Sequence, residues 1–293
     1  MSKKATTIEE QLELLERRGM LIKNPSKAKE HLLDIGYYRL GLYWFHFQVD
    51  HQKHIFKKNT SLDDIIKLYY LDVDLRYLLS KYLYRIEVNF RTKIVYHISN
   101  EYKNSPTWFM NPKIVSKHFI NDLPNIYNPT FKRYNLPIKK YHQKYINDRY
   151  APAWKTLEFF TFGQIFYLYK SLLNNSLKTK ITKLYAINNL KTFKNHLRAI
   201  INIRNICSHS GALFDYHQPK GIRKIPNDYY KAKGRDQTSI NISLRLILFY
   251  LSKVSENRAK DLENNLQQLF EQAFKNDEVK RIATQQSQLD LLG

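Results

Sequence analysis

Two side chains that can act together on a phosphate lie five residues apart, in the segment Arg204-Asn205-Ile206-Cys207-Ser208-His209. An arginine keeps its positive charge and offers a planar fork of donors to phosphate oxygens. A histidine titrates near neutrality and can transfer a proton. Arg204 and His209 are therefore candidate catalytic residues for RNA cleavage that needs no metal. The Arg-x4-His spacing alone is a common pattern, so its setting in the chain decides its value.

The helix predicted over residues 189–210 places Arg204 on its apolar side, and Gly211 is expected to end that helix. At about 100° per residue, Arg204 falls near the middle of the stripe that should face the core. An arginine there must be paired or face a cleft. The apolar residues within about 60° of it are Leu190, Phe193, Leu197, Ile200 and Ile201.

Two carboxylates occupy similar positions on other predicted helices. Glu87 shares a face with Leu83 and Phe90 on a helix predicted over residues 61–101, and Glu158 shares one with Phe162 on a helix predicted over 152–173. One interpretation is a buried salt-bridge network. The other is a polar cleft in which a glutamate orients Arg204 or His209.

His209 presents a geometric problem, because five residues on an ideal helix place it about 140° from Arg204. Either the helix breaks near Ser208, or the site is shared between two protomers of a symmetric dimer. A histidine at a helix end is also commonly a cap or a surface residue. The sequence leaves these alternatives open.

The net charge of +22 predicts a nucleic-acid partner. No acidic residue lies between Glu158 and Asp215, whereas eight Lys or Arg residues run from Lys170 to Arg204. On the predicted 189–210 helix the candidate RNA-binding residues are Lys191, Lys194 and Arg198. The alternative is a helical scaffold whose lysines reflect an AT-rich genome, but that bias does not by itself remove acids from one stretch.

Other site classes find little support in this sequence. A single Cys207 excludes an internal disulfide and a cysteine-rich zinc site, and we predict neither a metal nor a cofactor. Asp72 and Asp74 point about 200° apart on a helix, so we expect both on a solvated face. The chain has no signal-like N-terminus and no apolar run long enough to span a bilayer, so we expect a cytoplasmic protein with no membrane partner.

The predicted fold class is all-α, because only 8 glycines and 9 prolines interrupt 293 residues. We predict residues 1–50 as an N-terminal helical segment packed on a helical domain over 51–293, with a basic insertion rich in Pro, Asn and Tyr at about 103–150. A capping box of Thr7 and Glu10 opens the first helix. The further predicted helices are 26–48, 61–101, 152–173, 176–186, 189–210, 238–253 and 256–274. Residues 49–60 are predicted as a short hairpin or loop, and residues 215–238 as a loop.

The segment Arg204-Asn205-x3-His209 resembles the Arg-polar-x3-His motif of HEPN ribonucleases, which lies near a helix end in an all-α bundle. The aromatic run Gly36-Tyr37-Tyr38-Arg39-Leu40 with Tyr43-Trp44 resembles the N-terminal signature of the Abi-like abortive-infection proteins. Matches in the same order span about residues 30–215, so the chain resembles Abi-like proteins of the AbiD and AbiF type. The remaining matches are Arg85-Ile86-Glu87 with Arg91, Ala151-Pro152-x-Trp154 with Glu158, Phe162 and Gly163, and Leu213-Phe214.

This resemblance implies a HEPN-like helical bundle that acts on RNA in bacterial phage defence as a homodimer, without a metal. His209 would transfer the proton as the ribose 2′-hydroxyl attacks the phosphate, and Arg204 would stabilise the charge. Asn205 would orient either group, and Glu158 and Glu87 would support the site. The alternative is a non-catalytic RNA-binding member of the family that works in a complex with a regulatory RNA or protein.

Overall fold

The computed structural model describes residues 4–209, 211–227 and 236–288, and within these the chain is all-α apart from one small hairpin. This confirms the predicted fold class. Helix α1 (Ile8–Arg17) begins at the predicted capping box, where the Thr7 hydroxyl accepts from the Glu10 N–H and the Glu10 carboxylate accepts from the Thr7 N–H. The HEPN-like character of the bundle and the division at residue 50 stay predictions.

The single helix predicted over residues 26–48 is wrong. Gly36 adopts φ +92°, a left-handed conformation that glycine tolerates and other residues rarely adopt, and it separates two short helices. The aromatic run therefore lies on a helix of its own. The segment consists of α2 (Pro25–Asp34), α3 (Tyr37–Trp44), a turn of 3₁₀ helix (Phe45–Phe47), and the antiparallel strands β1 (Gln48–Asp50) and β2 (Ile55–Phe56).

Helix α4 (Leu62–Glu101) is the central element and confirms the predicted long helix. Its 40 residues give it a length of about 60 Å. Ser61 caps its start, and Asp63 and Asp64 occupy the first turn, where acidic side chains favour the helix dipole. Helix α3 packs against it, as do most of the helices that follow.

Residues 103–150 form short helices and loops, as predicted. A turn of 3₁₀ helix (Trp108–Met110) precedes α5 (Lys117–Ile126), α6 (Pro129–Tyr134) and α7 (Leu136–Lys144). Asn128 caps α6, and Pro129 occupies its first turn, where the missing N–H costs nothing.

The helix predicted over residues 152–173 is also wrong. The chain forms α8 (Ala153–Thr156) and a turn of 3₁₀ helix (Leu157–Phe159), and it then becomes extended at Phe160. A second capping box, between Thr161 and Gln164, starts α9 (Phe162–Ser171). Glu158 therefore does not continue the face of α9.

Five further helices complete the described chain: α10 (Asn175–Lys183), α11 (Leu190–Ser208), α12 (Ile240–Ser252), α13 (Glu256–Ala273) and α14 (Asp277–Ser287). All of α12 from Ile240 to Leu251 is buried. Helix α14 lies beyond the last helix predicted from the sequence. The predicted end of α11 at Ser210, and residues 228–235 of the predicted loop, lie outside the described residues. No helix in the described part of the chain has both the length and the apolarity needed to cross a bilayer.

Candidate active site at the end of helix α11

Arg204 and Glu87 meet where α11 packs against α4. The Arg204 Nε–H donates to Glu87 Oε2 at 3.1 Å. The Glu87 side chain is only 7% exposed and that of Arg204 is 26% exposed. A buried carboxylate thus holds the guanidinium from one side and leaves its other side facing solvent.

Glu87 is shared between two arginines. Its second oxygen, Oε1, accepts from Arg91 at 2.9 Å, and Arg91 also donates to the Phe160 carbonyl at 3.0 Å. Arg91 is the residue one turn after Glu87 in the same helix. Arg91 thus contributes a positive charge beside Glu87, and its bond to Phe160 connects α4 to the break between α8 and α9.

Glu158 takes a different place from the one predicted. Its side chain is 61% exposed, and its Oε1 lies 3.6 Å from a terminal nitrogen of Arg91. It makes no hydrogen bond or ion pair with Arg204 or His209. The predicted position on an apolar face is wrong because the helix ends at the 3₁₀ turn, and a long, exposed ion pair stabilises little.

Arg204 retains donors for a ligand. A guanidinium carries five N–H donors. One is used by Glu87, and a second donates to Oδ1 of the neighbouring Asn205 at 3.2 Å. Among the described residues no other partner is found, so three N–H groups remain. Asn205 is exposed, and at about 100° per residue it lies on the flank of the stripe that carries Arg204.

His209 is the first residue after α11. Its backbone is extended (φ −122°, ψ −178°), and its N–H closes the helix by donating to the Asn205 carbonyl at 3.0 Å. The side chain is exposed and makes no hydrogen bond or ion pair within residues 4–209, 211–227 and 236–288. The helix thus breaks at Ser208, which is one of the two arrangements foreseen for bringing His209 and Arg204 together. The shared site of a dimer stays a prediction.

Gly211 does not end the helix as predicted. It lies past the break, and a Cβ built on it would be 3.0 Å from Cγ2 of Ile206. At Gly211 the chain therefore runs close against the last turn of α11, at a distance that only a glycine allows without a shift.

The buried carboxylate of Asp72 anchors residues 211–215, which we call the returning segment. Asp72 Oδ1 accepts from the backbone N–H groups of Leu213 at 2.8 Å and Phe214 at 2.6 Å. Its Oδ2 accepts from the Tyr43 hydroxyl at 2.8 Å and from Arg76 Nε at 3.0 Å. Asp72 is 2% exposed, so the expected solvated face is wrong for Asp72 and confirmed for its exposed neighbour Asp74.

The aromatic run of α3 packs on the same returning segment. The Tyr43 ring stacks against Phe214 with centroids 6.2 Å apart, and Nε2 of His46 lies 3.2 Å from the Asp215 carboxylate. Burial and the neighbouring Asp72 carboxylate raise the pKa of the Tyr43 phenol, so Tyr43 stays protonated and donates. The N-terminal segment thereby helps fix the backbone that follows His209.

Cys207 lies inside the motif but is not a nucleophile. Burial, with the Asp72 charge, raises the pKa of its thiol to about 12. A thiol is reactive as the thiolate, so Cys207 stays inert near neutrality. Among the described residues, no group of three or more His, Cys, Asp or Glu side chains is arranged to hold a metal ion.

The three predicted RNA-binding residues all lie on α11. Lys191 and Arg198 are exposed, and Lys194 is half-buried. No hydrogen bond or ion pair joins them to Arg204 or Glu87. They are neighbours of the Arg204 site along the helix rather than parts of it.

One family model, described as Abi-like protein, matches residues 30–215. No curated protein and no solved structure matches the chain. The matched region begins in α2 and ends just after the segment that Asp72 anchors, so it includes every residue of the candidate active site. Because it covers more than half of the sequence, the chain belongs to the Abi-like protein family.

Proposed function

We propose that this protein is a metal-independent endoribonuclease of bacterial abortive-infection defence, with a HEPN-type motif at Arg204 and His209. Membership of the Abi-like family supports the defence setting. The observation that carries the proposal is the pairing of Arg204 with buried Glu87, five residues before an exposed histidine. Within the family, the residues quoted above favour the AbiD and AbiF type.

The proposed reaction uses the ribose of the RNA as its own nucleophile. The 2′-hydroxyl oxygen bonds to the adjacent phosphorus, and the bond from phosphorus to the 5′ oxygen breaks. The products are a 2′,3′-cyclic phosphate and a 5′-hydroxyl. His209 transfers the proton, either from the attacking 2′-hydroxyl or to the leaving 5′ oxygen. A homodimer supplies two His209 rings, one for each step.

Arg204 stabilises the negative charge that builds on the phosphate oxygens in the transition state. Donors already held in position are most effective, because no reorganisation is needed during the reaction. Glu87 supplies that fixation, and Asn205 holds the adjacent edge of the guanidinium. In this proposal Glu87 and Asn205 are positioning residues, and Glu158 acts only through Arg91.

A second function, RNA binding without cleavage in a complex with a regulatory RNA or protein, is favoured by one observation. The stretch between Glu158 and Asp215 carries eight basic residues and no acidic ones, which suits binding whether or not the phosphate is cut.

The experiment that separates the two functions is an RNA cleavage assay in EDTA with the purified full-length chain and its Arg204→Ala and His209→Ala variants. We expect the wild type to cleave and both variants to lose at least about a hundredfold in rate, the scale of one general acid–base or oxyanion contact. Tight binding by the wild type with no cleavage would instead establish the second function. Undiminished cleavage by the variants would place the chemistry elsewhere.

A further inference from the structure

Four basic side chains lie on three helices that pack together, α9, α10 and α11. Lys170 comes from α9 and Lys178 from α10, while Lys194 and Arg198 lie one turn apart on α11. Helix α11 packs against both of the other helices. We call these four residues the α9–α11 basic cluster.

The four charges are close enough to act on one another. Burial lowers the pKa of Lys170, and the charges of Arg198 and Lys194 lower it further. Burial likewise lowers the pKa of Lys178, and the charge of Lys194 lowers it further. The charge of Lys194 therefore acts on both of the other lysines.

No carboxylate compensates this charge in the described parts of the chain. None of the four residues forms an ion pair there, and the sequence between Glu158 and Asp215 contains no acid. Lys178 is only 7% exposed. The stem of Lys178 is thus packed away while its ammonium reaches solvent, so the charge is available to an external anion.

Ordinary packing explains only part of the cluster. The Lys170 ammonium lies 5.0 Å from the Phe166 ring centroid and 5.7 Å from that of Tyr167, which holds the side chain down. Aromatic faces attract a cation but leave its charge in place. The net positive charge of the cluster is thus open to an external anion.

On α11, Lys194 and Arg198 lie on the face that carries Asn205, about 100° round the helix from Arg204. Measured from Arg204 at about 100° per residue, Lys194, Arg198 and Asn205 fall at about 80°, 120° and 100° on the same side. Asn205 is the residue that contacts Arg204. From Lys194 to Arg204 the helix rises about 15 Å, a distance that an extended nucleic-acid strand spans.

One side of this face is bordered by the segment that follows the motif. Asn202 donates to Gln218 at 3.0 Å, and a cavity of about 150 Å³ beside Arg198 is lined by Gln218 and Lys220. Lys220 therefore adds a further positive charge next to Arg198. The segment that contains Gln218 and Lys220 leaves Arg198 itself exposed.

We propose that the α9–α11 basic cluster binds the phosphodiester backbone of single-stranded RNA and directs the strand along α11 toward Arg204 and His209. This rests on the proposed function for its choice of RNA as the anion. Lysine supplies a point charge and arginine a fork for phosphate oxygens. The cluster thus gives affinity without base recognition, and it extends the predicted RNA-binding set to Lys170 and Lys178.

The test is equilibrium binding of a fluorescein-labelled 2′-O-methyl RNA, whose blocked 2′-oxygen prevents the proposed cleavage. Anisotropy titrations across a range of salt concentrations give the slope of log K against log salt, which is about −0.7 per phosphate contact for single strands. In the triple variant Lys170→Gln, Lys194→Gln, Arg198→Gln we expect that slope to become shallower by about 2, with affinity reduced at least tenfold.

The matched control removes the same charge elsewhere, from the exposed residues Lys103, Lys260 and Lys280, each changed to Gln. We expect the control to keep the wild-type slope. Equal changes of slope in both triple variants would mean that bulk charge alone binds RNA, which would overturn the proposal. An unchanged slope in the cluster variant, or no RNA binding by the wild type, would overturn it as well. Circular dichroism verifies that each variant is folded.

Lys178 allows a second measurement that does not depend on the triple variant. Lys178→Met removes a positive charge that has no counter-charge and keeps an apolar side chain of similar length in its largely buried position, so we expect the melting temperature to rise or stay constant while RNA binding weakens several-fold. A fall in melting temperature with unchanged binding would make Lys178 a structural residue and contradict its assignment to the cluster. A cleavage assay with ordinary RNA, run in parallel, separates this proposal from the proposed ribonuclease activity. If the wild type binds RNA through the cluster but does not cleave it, only the ribonuclease activity is rejected.

Discussion

Glu87 and Arg204 are 117 positions apart in the sequence, yet the carboxylate and the guanidinium are 3.1 Å apart in the fold. The contact joins the central helix α4 to the helix that ends at His209. It fixes an arginine at the edge of the core with three donors unused. The proposed chemistry depends on this arrangement, because an arginine free to move in water would lose much of its effect on a transition state.

Replacing Glu87 by Gln should destabilise the fold strongly. Arg204 would lose its charged partner, and Arg91 would keep only its long contact with exposed Glu158. Leaving a buried charge without its partner costs about 3 kcal/mol or more in the free energy of unfolding. Urea denaturation followed by circular dichroism measures this. Glu158→Gln is the control, since its 61% exposed ion pair should contribute less than about 1 kcal/mol. Equal losses in the two variants would contradict the role given to Glu87.

Asp72→Asn should release the segment that follows His209. Leu213 and Phe214 donate to the carboxylate, and hydrogen bonds to a charged group contribute about 1.5–3 kcal/mol each. We expect faster amide hydrogen exchange at these two residues, and RNA cleavage reduced at least tenfold because the chain beyond His209 loses its anchor. Asp74→Asn, two residues away and exposed, is the control and should change neither. Unaltered exchange in Asp72→Asn would show that other contacts hold the segment.

Gly211→Ala should cost about 1 kcal/mol of stability through overpacking, because the added Cβ would meet Ile206 Cγ2 at 3.0 Å. The cost should largely vanish in an Ile206→Ala background, which lacks that methyl group. A double-mutant cycle of unfolding free energies measures the coupling between the two sites. Additive effects would mean that the returning chain does not pack against the last turn of α11 as described.

Stability should fall as the pH falls below the ordinary pKa of histidine, about 6.5. Burial is the main cause that lowers the pKa of His196 to about 4, and its Nε2 lies 2.8 Å from the Arg223 carbonyl oxygen, to which it donates. Between these two values the unfolded chain binds a proton that the folded chain does not. Acidification from about pH 7.5 to about pH 5 should therefore cost about 2 kcal/mol on this account.

The measurement is the urea midpoint at both pH values for the wild type, His196→Gln and His209→Ala. The loss of stability on acidification should disappear in His196→Gln. It should persist in His209→Ala, because His209 is exposed in the fold. A pH dependence that is the same in His196→Gln and the wild type would assign it to other groups.

The central pair could be found from the sequence because both helices are long and unbroken. Over such helices the period of 3.6 residues places Glu87 and Arg204 on apolar stripes without any knowledge of their partners. The same arithmetic failed for Glu158, since the helix is interrupted before α9. The signal for that interruption was present in the Thr161 and Gln164 capping box.

Asp72 could not be recognised from its neighbours in the sequence. Its decisive partners, Leu213 and Phe214, are backbone groups more than a hundred residues away, and any residue type would supply them. Gly36 shows a different difficulty: a glycine before an aromatic run is compatible with a continuous helix. Only its positive φ reveals the break. Local periodicity thus predicts which faces are buried, while tertiary contacts decide where helices stop.

The most direct measurement of the central claim is the chemistry of the RNA ends produced in EDTA. If Arg204 and His209 promote attack by the 2′-hydroxyl, the wild type will leave a 2′,3′-cyclic phosphate and a 5′-hydroxyl. A substrate with a single 2′-deoxyribose at the cut site will then not be cleaved there. Cleavage of the deoxy substrate at that position, or products carrying a 5′-phosphate, would contradict the proposed mechanism.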